Sequence, residues 1–278
     1  MKKVALCFWG VVRNFHLTHE SIKQNIYNVL SNNGYDFDVY MHLNKIDQIQ
    51  GYRASGENNI PVDFSQYKLL APDYFSFDDQ NLLCEQIDMT KYKIKRDPWR
   101  NQYKSVELFV LSMYSKHKVT QMLQKTSIVY DYVIFLRPDV LYVDPLPVQV
   151  FDTVNDSNCC LPSFGTWTKH KHMCKVNDRF SISVMKIAEL IGSSYTTLHE
   201  YCENYECHSE SFLSYNLHNN NVSVLPIPNF KFIRVRADGK IPIHDLKQLR
   251  SEKLMALGFR IHKYIEGDGK LINIHDVF

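Results

Sequence analysis

The stretch VIFLRPDVLYVDPLP, residues 133–147, constrains the fold of this chain more than any other. Val133, Ile134, Phe135 and Leu136 are apolar without alternation, the pattern of a strand covered on both faces in the middle of an α/β sheet. Pro138 has no N–H to give to a ladder, so the strand ends there. Arg137 and Asp139 then stand just past the carboxyl end of a central strand, where open α/β sheets bind ligands. The same two residues can equally form a structural ion pair at a turn. This stretch by itself leaves both readings open.

The rest of the chain extends the α/β reading. KVALCFWG (3–10) predicts a first buried strand. HLTHESIKQNIYNVLSNNG (16–34) predicts a helix with Thr18 or Ser21 as cap, a stripe of Ile22, Ile26, Val29 and Leu30, and a stop at Gly34. FDVYMHL (37–43) predicts a second strand, which completes a βαβ unit. Residues 45–98 are polar and irregular and read as one further strand plus variable loops. The longest helix is expected over 100–126, with Val106, Phe109, Val110, Met113 and Tyr114 on one face. Beyond the opening motif, 148–175 reads as loops. NDRFSISVMKIAELIGSSYTTLHEYC (177–202) reads as a polar turn, a strand or bend, and a helix. A helix over 209–221, a strand over 222–227 and a hairpin around Asp268-Gly269 follow. With no internal repeat, the expectation is one α/β domain with a mostly parallel central sheet, flanking helices and loop insertions. Residues 1–147 would form one half and 148–278 the other.

Composition removes several classes of function. The chain of 278 residues has 32 basic and 30 acidic residues, a formal charge of +2, so no global field favours nucleic acid. No stretch is long enough for a membrane span. MKKVALCFWGVV imitates a signal peptide but runs into Arg13-Asn14 instead of a cleavage site, so a buried strand is expected there. The seven cysteines form no CxxC pair and read as free thiols of a reducing, cytoplasmic compartment. Gly-rich phosphate loops, GxSxG and HExxH are all absent, so any chemistry must be assembled from dispersed residues.

YDYVIFLRPDVLYVDPLP resembles the central motif of GT-A-fold glycosyltransferases, in which a buried strand runs into an Asp-x-Asp that holds a divalent metal on a nucleotide-sugar diphosphate. Here Arg137-Pro138-Asp139 stands in that place, so only the second aspartate remains. FWGVVRNF resembles the first strand and loop of one branch of that group, and RNQYKSVELF the helix before the motif. NDRFSIS resembles its acceptor-side turn, HSESFLSYNLHNNNVSV the helix after that, and RVRADG the tail of the pattern. The pieces occur in family order and cover most of the chain outside 45–98 and 148–175. They are most similar to small stand-alone enzymes of large DNA viruses of algae, a chlorovirus xylosyltransferase among them. The resemblance implies transfer of a sugar from a nucleotide donor, a UDP-sugar such as UDP-xylose, to a glycan acceptor. It further implies Mn²⁺ or Mg²⁺, an inverting carboxylate base and, for a viral chain, the host cytoplasm. A sugar nucleotidyltransferase and a non-catalytic carbohydrate-binding protein are the alternatives.

Residue chemistry distributes the expected roles. Asp139 offers the hard oxygen that Mg²⁺ or Mn²⁺ requires, and His244 is a candidate late ligand to metal or phosphate. Asp144 is better suited to capping the turn at Pro145. Arg13 can hold a diphosphate bidentately, with Gly10 and Val11 letting backbone approach the nucleotide. Arg137 can offset diphosphate charge or pair with a structural acid. His42 and Asn44, ending the second strand, are candidates for base or ribose. Asn101, Gln102 and Ser105, at a helix start, either read the nucleotide edge or cap the helix. For the base that takes the acceptor hydroxyl proton, Glu210 is preferred to Asp178, which is better placed to hold hydroxyls. An acid in a first helical turn is also favoured by the helix dipole alone.

Overall fold

The computed structural model describes residues 2–49, 57–242 and 245. His244 and the hairpin expected around Asp268-Gly269 lie outside the described residues.

The first strand, β1 (Lys3–Gly10), is buried from Val4 to Trp9, as its unbroken apolar run requires. The helical segment after it comprises α1 (Phe15–Ile22), a π-helical stretch (Lys23–Tyr27) and α2 (Asn28–Asn32). Thr18 and Ser21 do not cap it. They sit inside α1 and tie it to the opening motif, Thr18 Oγ1 donating to Pro138 O (2.7 Å) and Ser21 Oγ accepting from Tyr142 N (3.1 Å). β2 (Asp36–Lys45) follows.

The polar stretch after β2 holds more structure than its composition suggests. A short pair, β3 (Gln48–Ile49) and β4 (Ile60–Pro61), precedes β5 (Tyr74–Asp79) and α3 (Gln80–Gln86). The long helix α4 (Lys104–Gln124) starts four residues later than its sequence pattern suggests, and buries Val106, Val110 and Met113. β6 (Tyr132–Leu136) and β7 (Val140–Tyr142) flank Arg137-Pro138-Asp139.

One strand lies where loops are expected. β8 (Asn158–Pro162) is fully buried and carries Cys159 and Cys160. β9 (Phe180–Ser183), α5 (Met185–Gly192), α6 (Leu198–Asn204), α7 (Ser209–Asn219), β10 (Ser223–Ile227) and β11 (Phe232–Arg234) complete the described chain. All seven cysteines are free thiols. Among the described residues no helix is long and apolar enough to cross a membrane.

Seven strands form the main sheet in the order β10-β8-β9-β6-β1-β2-β5. Only β9 is reversed, pairing antiparallel with β6 and β8 while the other pairings are parallel. Alternate residues of β1 feed two cores, Val4, Leu6 and Phe8 on one face and Ala5, Cys7 and Trp9 on the other. Helices cover both faces, which is the reason the central strands are apolar without alternation.

This topology collects polar residues at one edge. The carboxyl ends of β1, β2, β5 and β6 lie together, and the reversed strand β9 brings its amino end, with Asp178-Arg179, to the same edge. β11 runs antiparallel to β7 with Arg234 opposite Val140, which sets the RVR segment beside Asp139.

Candidate functional site

A cleft of about 230 Å³ opens at this edge. Its floor comes from the strand ends, through Trp9, Gly10, Val11, Arg13, Asn44, Arg137, Asp139, Asp178 and Arg179. One turn after another of α4 adds Ser105, Leu108, Ser112 and their neighbours, and Arg234 and Arg236 close the far side. Gly10 has a φ of 112°, a conformation L side chains rarely adopt, and its N–H donates to Ser115 Oγ (2.9 Å). The same hydroxyl donates to His42 O (2.7 Å), so one serine of α4 pins the ends of β1 and β2.

Asp139 is 2% exposed and clamped by two arginines. Arg137 meets both carboxylate oxygens, Nε to Oδ1 at 2.8 Å and an Nη to Oδ2 at 2.5 Å, and Arg13 reaches Oδ2 at 2.9 Å. Burial works to raise the Asp139 pKa, but these two guanidinium groups hold it well below the usual carboxylate range. The ion-pair reading of the motif is thus realised, and it recruits a partner 126 positions away in sequence.

Mn²⁺ or Mg²⁺ would need oxygen ligands with lone pairs to spare. Both Asp139 oxygens are already engaged by guanidinium groups, and a cation there would meet two positive charges. Among the described residues no group of three or more His, Cys, Asp or Glu side chains is arranged to hold a metal. The described residues therefore do not fit a divalent cation at Asp139.

The two acidic candidates occupy different positions. Asp178 lines the cleft and Glu210 is not among its lining residues. Glu210 is 8% exposed, accepts from Ser209 Oγ (2.6 Å) and contacts Arg179 at 3.4 Å. Burial, and next the Asp178 charge, raise the Glu210 pKa. For Asp178 burial also pushes upward, but Arg179, Lys116 and Arg137 keep the carboxyl below its ordinary range. Lys116 lies beneath the cleft with its ammonium 4.0 Å from the Trp9 ring centroid, and burial lowers its pKa to about 8.

Three other residues expected at the site, His42, Asn101 and Gln102, do not line the cleft. His42 is fully buried, its Nδ1 3.0 Å from Ser115 Oγ and its Nε2 3.2 Å from Asp78 Oδ2, and it does not line the cleft. Asn101 bonds Ser105 Oγ (2.7 Å), which serves the helix start, and exposed Gln102 holds a φ of 60° in the same loop. Asp97 organises that loop by accepting the N–H groups of Trp99, Asn101 and Tyr103. Asp144 accepts the Lys231 N–H (2.9 Å), bracing β7 against the approach to β11.

Sequence alone assigns no role to other cleft residues: Gln80 and Trp99 lie outside the quoted motifs, and Arg179, Arg234 and Arg236 lie within NDRFSIS and RVRADG. Arg234 is held by Asp245 through Nε (2.8 Å) and an Nη (2.5 Å). Arg236 is 8% exposed, and its buried Nε has no hydrogen-bond partner. Burial, then the neighbouring Arg234 and Arg13, lower its pKa to about 10. Asn44 Oδ1 and Gln80 Oε1 are likewise buried without a partner, although Asn44 Nδ2 donates to Leu111 O (3.0 Å). Unsatisfied buried polar atoms are rare and call for an explanation. All three belong to residues that line one cleft.

No protein-family profile matches the chain, and no curated protein matches it in sequence. Among solved structures it is similar to the galactosyltransferase LgtC in complex with donor and acceptor sugar analogs. That likeness has 11% identity and a TM-score of 0.43, over 80% of this chain and 72% of the other. Mouse xyloside xylosyltransferase 1, in its apo form, matches at 10% identity and a TM-score of 0.40, over 82% and 85% of the two chains. The apo form of the glycosyltransferase GlyE of Streptococcus pneumoniae matches at 12% identity and a TM-score of 0.40, over 81% of this chain and 45% of the other.

Proposed function

We propose that the chain is a glycosyltransferase that moves a sugar from a nucleoside-diphosphate donor, a UDP-sugar such as UDP-xylose, to a glycan acceptor. The observation that carries this reading is the set of unpartnered buried atoms on residues that line the cleft, Asn44 Oδ1, Gln80 Oε1 and Arg236 Nε. Two acceptors and a guanidinium donor suit the N–H groups of a nucleobase at one end and a phosphate oxygen at the other. The ordered motifs around Arg137-Pro138-Asp139 support the same reading.

In this reading the arginines offset the charge that builds on the departing diphosphate, the form of stabilisation that contributes most in preorganised sites. Asp178, the carboxylate of the acidic pair that lines the cleft, takes the proton of the acceptor hydroxyl as it attacks the anomeric carbon. Glu210 holds Arg179 and through it the face on which Asp178 stands. Geometry therefore favours Asp178 over Glu210 as base, the reverse of the preference drawn from sequence.

A thermal-shift screen of nucleotide sugars, free glycans and nucleoside triphosphates tests the proposal. A ligand at 100 times its Kd stabilises by about 2.7 kcal/mol, enough to register. Nucleoside-diphosphate sugars should stabilise the chain and free glycans alone should not. Release of pyrophosphate from a triphosphate with a sugar phosphate would establish a nucleotidyltransferase instead. Stabilisation by glycan without any nucleotide would leave a binding protein.

A further inference from the structure

We propose that this chain holds the diphosphate of its donor with arginines and needs no divalent cation to do so. The inference rests on the donor reading above and specifies how that donor is bound. A diphosphate brings about two to three negative charges, and an enzyme must supply matching positive charge from a cation or from side chains. This cleft already contains the side chains. Five arginines line it, Arg13, Arg137, Arg179, Arg234 and Arg236, against the carboxylates Asp139 and Asp178.

The arginines divide into two groups. Arg179 and Arg234 are fixed from behind by Glu210 and Asp245, so their positions are set whether or not a ligand is bound. Arg13 and Arg137 share one carboxylate, Asp139, which orients both guanidinium planes. Arg236 makes no side-chain hydrogen bond among the described residues, and its charge is buried beside Arg13 and Arg234. Glu57 and Asp139 offset part of the repulsion from Arg13 and Arg234, but the unpaired Nε of this buried guanidinium still favours the arrival of an anion. A phosphate oxygen at that point would satisfy it and draw on Arg13 as well.

The same geometry works against a metal. Both oxygens of the one carboxylate in the central motif are engaged by guanidinium groups, and a divalent cation there would have to compete with them and remain among their charges. The backbone fixes this arrangement. Val235 N donates to Asp139 O (3.0 Å), so the residue carrying the carboxylate and the segment carrying Arg234 and Arg236 cannot separate locally.

The test is calorimetric titration of the full chain with inorganic pyrophosphate, UDP and uridine, each in EDTA and in Mn²⁺. Pyrophosphate and UDP should bind in EDTA, and Mn²⁺ should change either Kd by less than about threefold. Arg236→Gln should weaken pyrophosphate and UDP by about one to two decades, the share of a charge-assisted contact, with little effect on uridine. UDP binding that requires Mn²⁺, or improves more than about tenfold with it, overturns the inference and leaves the transferase reading intact. Pyrophosphate binding in EDTA while no nucleotide sugar stabilises the chain retains the arginine site and removes that reading. No binding of either diphosphate in either condition overturns both. The metal comparison on the unsubstituted chain decides the matter even if Arg236→Gln fails to fold.

Discussion

Asp139→Asn separates the two readings of the central motif because they predict opposite responses to anions. The side chain keeps its shape but loses the charge that holds Arg13 and Arg137. Removing one partner of a buried ion pair costs about 3–5 kcal/mol, because the remaining charges stay buried and uncompensated. At about 2–4 °C of Tm per kcal/mol, the value for domains approaching the size of this 278-residue chain, the fall is roughly 6–20 °C. Arg13 and Arg137 then lose a competing carboxylate and can turn charge-assisted hydrogen bonds toward an anion, at about 1.5–3 kcal/mol for each contact regained. Pyrophosphate should therefore bind the variant about tenfold or more tightly than the unsubstituted chain, and raise its Tm by a larger increment. Scanning calorimetry over a pyrophosphate series in EDTA measures both quantities. A variant with unchanged Tm would show that Asp139 does not clamp the arginines. Loss of an anion affinity that depends on Mn²⁺ would make it a metal ligand and refute the reasoning.

Asp178→Asn should lower kcat by about 10²–10⁴-fold at saturating donor and acceptor, with donor binding retained. Glu210→Gln should alter KM more than kcat, and the reverse ranking would move the base to Glu210. Burial holds His42 neutral, with a pKa pushed down to about 4. The unfolded chain therefore takes up the proton first as pH falls, so this contribution to stability is intact above about pH 6.5 and is lost on the way down to 4. His208 is displaced in the same direction, to about 4. Tm should fall between pH 7.5 and 5, and less steeply in His42→Gln; equal slopes would count against His42. Gly192→Ala should destabilise by about 1–3 kcal/mol in a urea titration despite the helix propensity of alanine, because a Cβ would lie 1.9 Å from Thr120 Oγ1 and 2.8 Å from Phe135 Cζ. A stabilised variant would contradict that packing.

The central strands were legible because burial on both faces leaves an unbroken apolar run, as in β1 and β6. β8 was not, since NCCLP is short, begins with a polar residue and ends on proline. The direction of β9 is a tertiary fact that no local pattern encodes, yet it is what delivers Asp178 to the cleft. Gly10, Val11, Arg13, Arg137 and Asp139 lie together as their positions at strand ends suggested. The pairing of Arg13 with Asp139 spans most of the first half of the chain and leaves no local signal. His42 and Asn44 share one face of β2, but only Asn44, at the strand's end, reaches the opening. Packing of His42 against Ser115 of α4 decides the difference. Arg236 belongs to the quoted RVRADG segment, and only the pairing of β11 with β7 shows that this segment faces Asp139.

A crystal structure of the full chain with a nucleoside-diphosphate sugar selected by the thermal-shift screen tests the central claim most directly. The diphosphate oxygens should lie within about 3 Å of the Arg13 and Arg236 guanidinium groups, as hydrogen bonds require. The base should meet Asn44 Oδ1 or Gln80 Oε1, and the anomeric carbon should face Asp178. A nucleotide bound outside this cleft, or a diphosphate held on a cation coordinated by Asp139, would contradict it.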